Sequence, residues 1–166
     1  MELRIASLFE YEREYRSDLR FIPMAMRYRL DCVGLKIGLP AWQWLPVPAR
    51  FELAAMPADT GEELTAIRNR LERLLAACPE ADAPKRISVD CSGWERRLPV
   101  PECVRIGCEA LSAPMEASRW LDMETLERYA LVKLSLSVKQ PGAFRMALEE
   151  ISARRGRTTA PPALPE

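Results

Sequence analysis

Apolar residues recur along this chain at helical spacing, and the clearest run is Leu64, Ile67, Leu71, Leu74 and Leu75. Steps of three and four residues place them on one helix face. Thr60 and Glu63 stand just before the stripe with the spacing of a capping box, and Cys78-Pro79 ends it. An earlier helix is predicted from Pro23, since proline at a helix start loses no needed hydrogen bond. Met26, Leu30 and Val33 form its apolar face, and Gly34 is placed to stop it. Residues Leu35–Leu39 alternate and read as a short extended piece or a connector. Pro40-Ala-Trp-Gln-Trp reads as a helical turn and Ala49–Met56 as a further helix.

The same pattern returns later. Pro23, Arg27, Trp42, Arg50 and Leu53 reappear as Pro101, Arg105, Trp120, Arg128 and Leu131, all 78 positions on and without a gap. Val104, Cys108 and Leu111 follow Pro101 as an apolar face, and Asp122 is placed to cap a helix over Met123–Leu134. Residues 79–99 read as loop, with a short strand near Ile87–Val89 and Trp94 as an anchor. A last helix starts near Pro141 and carries Phe144, Leu148 and Ile151. The N-terminal Leu3-Arg4-Ile5-Ala6 fits strand or helix, and Phe9, Tyr11 and Tyr15 are suited to pack an arm on the core. The expected fold is mostly α, a compact helical domain with two pseudo-repeated helix–turn–helix units and little or no strand. It is expected to span 1–153 as a single domain, with pseudo-repeats at 19–57 and 97–135 and a disordered tail at 154–166.

The chain has 166 residues, a length that suits one domain. Lys and Arg number 24, as do Asp and Glu, so no net field attracts nucleic acid or an anionic membrane. The N-terminus lacks a secretory pattern and no stretch approaches the ~20 apolar residues of a membrane span, so a cytoplasmic location is expected. Five cysteines without an export signal argue for reduced thiols. Histidine is absent, which excludes Ser-His or Cys-His nucleophile pairs, a histidine base and any imidazole zinc site. No phosphate loop, nucleophile elbow or paired CxxC motif is present.

The segment Leu19–Leu53 carries a resemblance. Leu19, Arg20, Ile22, Pro23, Met24, Arg27, Leu30, Asp31, Gly34, Leu35, Lys36 and Ile37 form one matching run, continued by Trp42, Leu45, Arg50, Leu53 and Pro57. Trp120 and the run Arg128–Ser135 match late in the chain. With these residues the sequence resembles the nitrate reductase-associated protein family of cyanobacteria and other bacteria. The resemblance implies a non-catalytic accessory or maturation factor, with the assimilatory nitrate reductase (a molybdenum and iron–sulfur enzyme) or its cofactor-insertion machinery as partner. It brings no catalytic residues and no cofactor. Phe21 stands where the family has cysteine, and Val138-Lys139-Gln140 where it has histidine.

Three readings of function follow. The first is the accessory factor, with Arg20, Met24, Arg29, Lys36 and Trp44 as candidate partner-binding residues, because the echo lacks Met24, Lys36 and Trp44 while it repeats Trp42 as a core plug. The second is a helix-turn-helix nucleic-acid-binding regulator built on Pro23–Gly34 and Ala49–Met56, which zero net charge and the apolar Phe51–Met56 disfavour. The third is a thiol-based metal or cluster carrier, although cysteines at this spacing are more often small core residues. The recurring Arg27/Arg105 and Arg50/Arg128 read as structural ion pairs with carboxylates such as Asp31 or Glu109.

Overall fold

The computed structural model describes residues 9–137 and 142–158. Within them the fold is mostly α, with one two-stranded sheet. The N-terminal Leu3–Ala6, the Val138–Gln140 segment and the tail beyond Thr158 lie outside the described residues. The chain divides into two compact units. Among the described residues the first comprises 12–91, and the second 9–11, 92–137 and 142–158. No helix among the described residues is long and apolar enough to cross a membrane.

The first unit contains α1 (Met24–Cys32), β1 (Leu35–Lys36), α2 (Leu39–Trp44), α3 (Val47–Ala55), α4 (Gly61–Ala76) and β2 (Lys85–Arg86). Pro23 lies one residue before α1, in extended geometry at ψ 151°, and acts as its N-cap. The side chain that satisfies the helix start comes from the preceding turn. Buried Glu12 accepts from the Met24 amide at 2.7 Å and from the Tyr15 hydroxyl at 3.2 Å. A carboxylate at a helix N-terminus meets both the unpaired amides and the favourable end of the dipole. Gly34 ends the helix at φ +63°, where a Cβ would sit 2.8 Å from the Ile87 carbonyl oxygen. This close approach lets β1 pair antiparallel with β2, Leu35 opposite Arg86. The strand thus lies just before the Ile87–Val89 segment expected from sequence.

The capping box of α4 forms as its spacing predicts. Thr60 Oγ1 accepts from the Glu63 amide at 3.2 Å, and Glu63 Oε2 accepts from the Thr60 amide at 2.9 Å. Ile67, Leu71 and Leu75 enter the core with Leu19, Met26, Leu30, Trp42, Leu45 and Leu53. Glu52 of α3 and Arg70 of α4 add a two-bond pair, at 2.7 and 2.8 Å.

The second unit contains α5 (Glu102–Ala110), α6 (Ala117–Asp122), α7 (Thr125–Ser135) and α8 (Ala143–Thr158). Asp122 is the last residue of α6 rather than a cap. The N-cap of α7 is Glu124, whose amide donates to Glu127 Oε2 at 2.9 Å. Tyr129, Ala130, Leu131, Val132 and Leu134 are buried, so α7 is enclosed over most of its circumference. Trp94 sits in a short 3-10 turn and packs edge-on against Tyr129, with ring centroids 4.9 Å apart. Phe144, Leu148 and Ile151 are buried on α8, which continues through Arg154, where the tail was expected to begin, to Thr158.

Elements of the two units recur at the spacing of the sequence echo. Helix α1 spans 24–32 and α5 102–110, and α2 spans 39–44 and α6 117–122, each 78 positions apart at both ends. Trp42 Nε1 donates to the Leu19 carbonyl at 2.6 Å, and Trp120 Nε1 to the Arg97 carbonyl at 3.0 Å.

Candidate partner-binding surface

The arginines that recur are structural, and three of them bind oxygens of the main chain. Arg50 is nearly buried and donates to three main-chain carbonyls, those of Leu45 at 3.0 Å, Asp18 at 3.0 Å and Gln43 at 2.6 Å. Arg128 donates to the carbonyls of Trp94, at 2.9 Å, and Met123, and to Thr125 Oγ1 at 3.2 Å. A planar fork of donors suits several carbonyl oxygens at once, so each arginine ties loop backbone that no helix or strand pairs. Arg27 likewise donates to the Ile22 carbonyl at 3.1 Å. Arg105 does form the expected pair, with Glu109 at 2.7 Å.

The five candidate residues separate by burial. Met24 is 4% exposed, which removes it from any surface, because the Ile-Pro-Met start of α1 turns inward. Arg29 is half-buried and donates to the carbonyls of Leu53 at 3.2 Å and Ala54 at 3.0 Å. It therefore caps the C-terminus of α3, where carbonyls lack helical partners and a cation is favoured. Burial lowers the pKa of its guanidinium, with nearby Asp59 acting the other way. Lys36 is exposed on β1. Arg20 is partly exposed and pairs with Glu14 at 2.8 Å. Trp44 is 52% exposed, whereas Trp42, two positions earlier on α2, is 0% exposed.

Side-chain bonds hold this face in place. Gln43 Nε2 donates to the Arg20 carbonyl at 3.1 Å, while the Gln43 carbonyl accepts from Arg50. The 18–21 segment therefore lies along α2, and Arg20 and Trp44 belong to adjoining strips of chain. Leu19 turns that segment at φ +48° and places its own side chain wholly inside. Phe21 is the residue that sequence reasoning missed. It is 37% exposed, stacks edge-on with Tyr15 at 5.2 Å, and lies 5.6 Å under the Arg20 guanidinium. Its signal was present in the replacement of the family's cysteine by a large aromatic. Val47, at the start of α3, adds a further exposed apolar side chain.

Cys108 is buried, and the other four cysteines are intermediate. Burial raises the thiol pKa of Cys32 and of Cys108, which keeps both protonated at neutral pH. Among the described residues no three Cys, Asp or Glu side chains converge as metal ligands would.

A family model described as conserved nitrate reductase-associated protein matches residues 8–151. The chain belongs to that family. Among curated proteins and solved structures nothing matches. The family description links the chain to nitrate reductase as an associated protein, and the matched span reaches into both units and includes every candidate residue above.

Proposed function

We propose that the chain is a non-catalytic accessory factor that binds the assimilatory nitrate reductase, or the machinery that inserts its molybdenum and iron–sulfur cofactors, through the face carrying Arg20, Phe21 and Trp44. The observation that carries this reading is Trp44, a large aromatic side chain held 52% exposed beside a fully buried tryptophan on the same short helix. Trp and Arg dominate the binding energy of protein interfaces. The residues shared between the two units serve the scaffold, since Trp42, Arg50, Trp120 and Arg128 all bind main-chain oxygens. Trp44 has no counterpart, because Asp122 stands 78 positions on. A nucleic-acid role has less support. Strand β1 and helix α2 separate α1 from α3, and α3 directs Ala49, Arg50 and Leu53 inward while Glu52 faces out.

Titration of purified chain against purified nitrate reductase tests the proposal. Trp44→Ala is expected to weaken binding at least about tenfold, the effect of a lost interface anchor, with an unchanged circular dichroism spectrum. Undiminished binding by Trp44→Ala together with Phe21→Ser would remove the face. Full nitrate reductase activity in cells lacking the gene would remove the accessory role.

A further inference from the structure

The second unit contains a cleft of about 420 Å³ whose wall includes Leu111, Ser112, Arg119, Arg145, Glu149 and Ser152. We propose that this cleft binds a small organic oxyanion, a molecule bearing a carboxylate or phosphate group recognised by Arg119 and Arg145. The volume falls in the range of small-ligand sites, roughly 300–1,000 Å³, and exceeds the needs of a lone inorganic ion.

Four observations point to a built site. Two arginines and one glutamate line the cleft, and neither Arg119 nor Arg145 forms an ion pair among the described residues. Arg119 is held in place by its bond to Ser152 Oγ, which in turn donates to the Leu148 carbonyl at 2.5 Å. Ser112 adopts φ +54°, a left-handed backbone that side-chain-bearing residues rarely take. The matching position in the first unit is Gly34, at φ +63°, where no side chain is strained. The second unit thus keeps a hydroxyl at a position where glycine would be easier, and that residue lines the cleft.

The fourth observation comes from comparing each unit's own interior. Beside Gly34 the first unit has no open space, because Ile87 donates its amide to the Gly34 carbonyl at 2.9 Å and β2 follows the chain there. After Ser112 the described residues of the second unit contain no strand, and the cleft opens at the equivalent place. Arg119 likewise stands 78 positions after Ala41, a small buried residue. The cleft and its arginine are therefore features that the recurring scaffold does not require.

Guanidinium groups grip carboxylates and phosphates through paired hydrogen bonds, which selects oxyanions over halides. Leu111 and Leu148 offer an apolar wall to the carbon skeleton. Glu149 favours a hydroxyl or amine on the same molecule and opposes a second negative charge near it.

The test uses the full chain at constant ionic strength, with inorganic phosphate and acetate as probes and the amide resonances of Ser112 and Ala113 as readout. Saturable shifts with either probe are expected at millimolar concentration, and the stronger of the two identifies the anionic group. Arg145 is exposed, so Arg145→Gln should fold normally and lose affinity by about tenfold, as loss of one charged hydrogen bond implies. Glu149→Gln should bind both probes more tightly. Absence of saturable shifts with both probes, or shifts that survive Arg119→Gln and Arg145→Gln unchanged, would overturn the proposal.

Discussion

Replacing Arg50 by methionine isolates what its donors contribute. Methionine keeps most of the apolar stem and volume but offers no N–H, so the carbonyls of Leu45, Asp18 and Gln43 lose a partner together. Bonds from a charged donor contribute about 1.5–3 kcal/mol each. The Leu45 bond is fully buried and takes a value of about 2 kcal/mol in that range. The Asp18 and Gln43 bonds are only partly buried, so water replaces the donor in part and about 1 kcal/mol each remains. The sum is about 4 kcal/mol, a large share of the roughly 5–15 kcal/mol that stabilises a domain. With a urea slope of about 2 kcal/mol/M, the midpoint for the first unit should fall by about 2 M. The assay is the urea dependence of amide hydrogen exchange over residues 39–55, which reports this unit alone. Arg128→Met should act on the second unit in the same way, read over residues 117–135. A loss below about 1 kcal/mol for Arg50→Met would show that packing of the stem, not donation to carbonyls, holds the loop.

Two further substitutions test backbone geometry. Gly34→Ala should destabilise the first unit by about 2–3 kcal/mol, from the left-handed conformation and the displaced Ile87 carbonyl, with faster exchange of the Ile87 amide; Gly61→Ala, which meets nothing within 4 Å, serves as control, and equal effects would refute the distinction. Glu63 is held below the usual carboxylate pKa by the Thr60 and Asp59 amides, so its contribution is present above the unfolded value of about 4.3 and is lost as pH falls through the folded one. Carbon-detected titration of Glu63 should give a midpoint below that of an unstructured glutamate, and a normal midpoint would contradict the cap. At alkaline pH the sign reverses. Burial raises the Cys108 thiol, so stability is complete below the unfolded thiol value of about 8.5 and declines as pH rises above it, a decline that Cys108→Ala should reduce.

What the sequence made legible was local. The capping box at Thr60, the helix stop at Gly34 and the apolar stripe of α4 each depend on residues within one or two turns, where geometry follows from spacing. The 78-residue recurrence separated Trp42 from Trp44 in advance, since a tryptophan repeated at the same offset signals a packing role. Residues that act across the fold were misread or missed. Met24 was a surface candidate because it is distinctive, yet it lies in the core. Arg29 was another, yet it caps α3 from 24 and 25 positions away. Arg50 was expected to meet a carboxylate, but its targets are main-chain carbonyls up to 32 positions distant, and Arg128 reaches the Trp94 carbonyl 34 positions away; such oxygens carry no residue signature at all.

By itself the sequence determined the mostly helical fold, the start of α4 and the stop of α1, the family and the absence of histidine chemistry. These follow from short-range hydrogen bonding, periodicity and composition. Tertiary structure alone decided that β1 meets β2 across some fifty residues, that Phe21 and Trp44 stay exposed while Met24 does not, and that a two-arginine cleft opens after Ser112 where the first unit closes with a strand. Each of those depends on which distant backbone atoms approach one another. Main-chain donors and acceptors are the same at every position, so their pairing leaves no mark in the order of side chains.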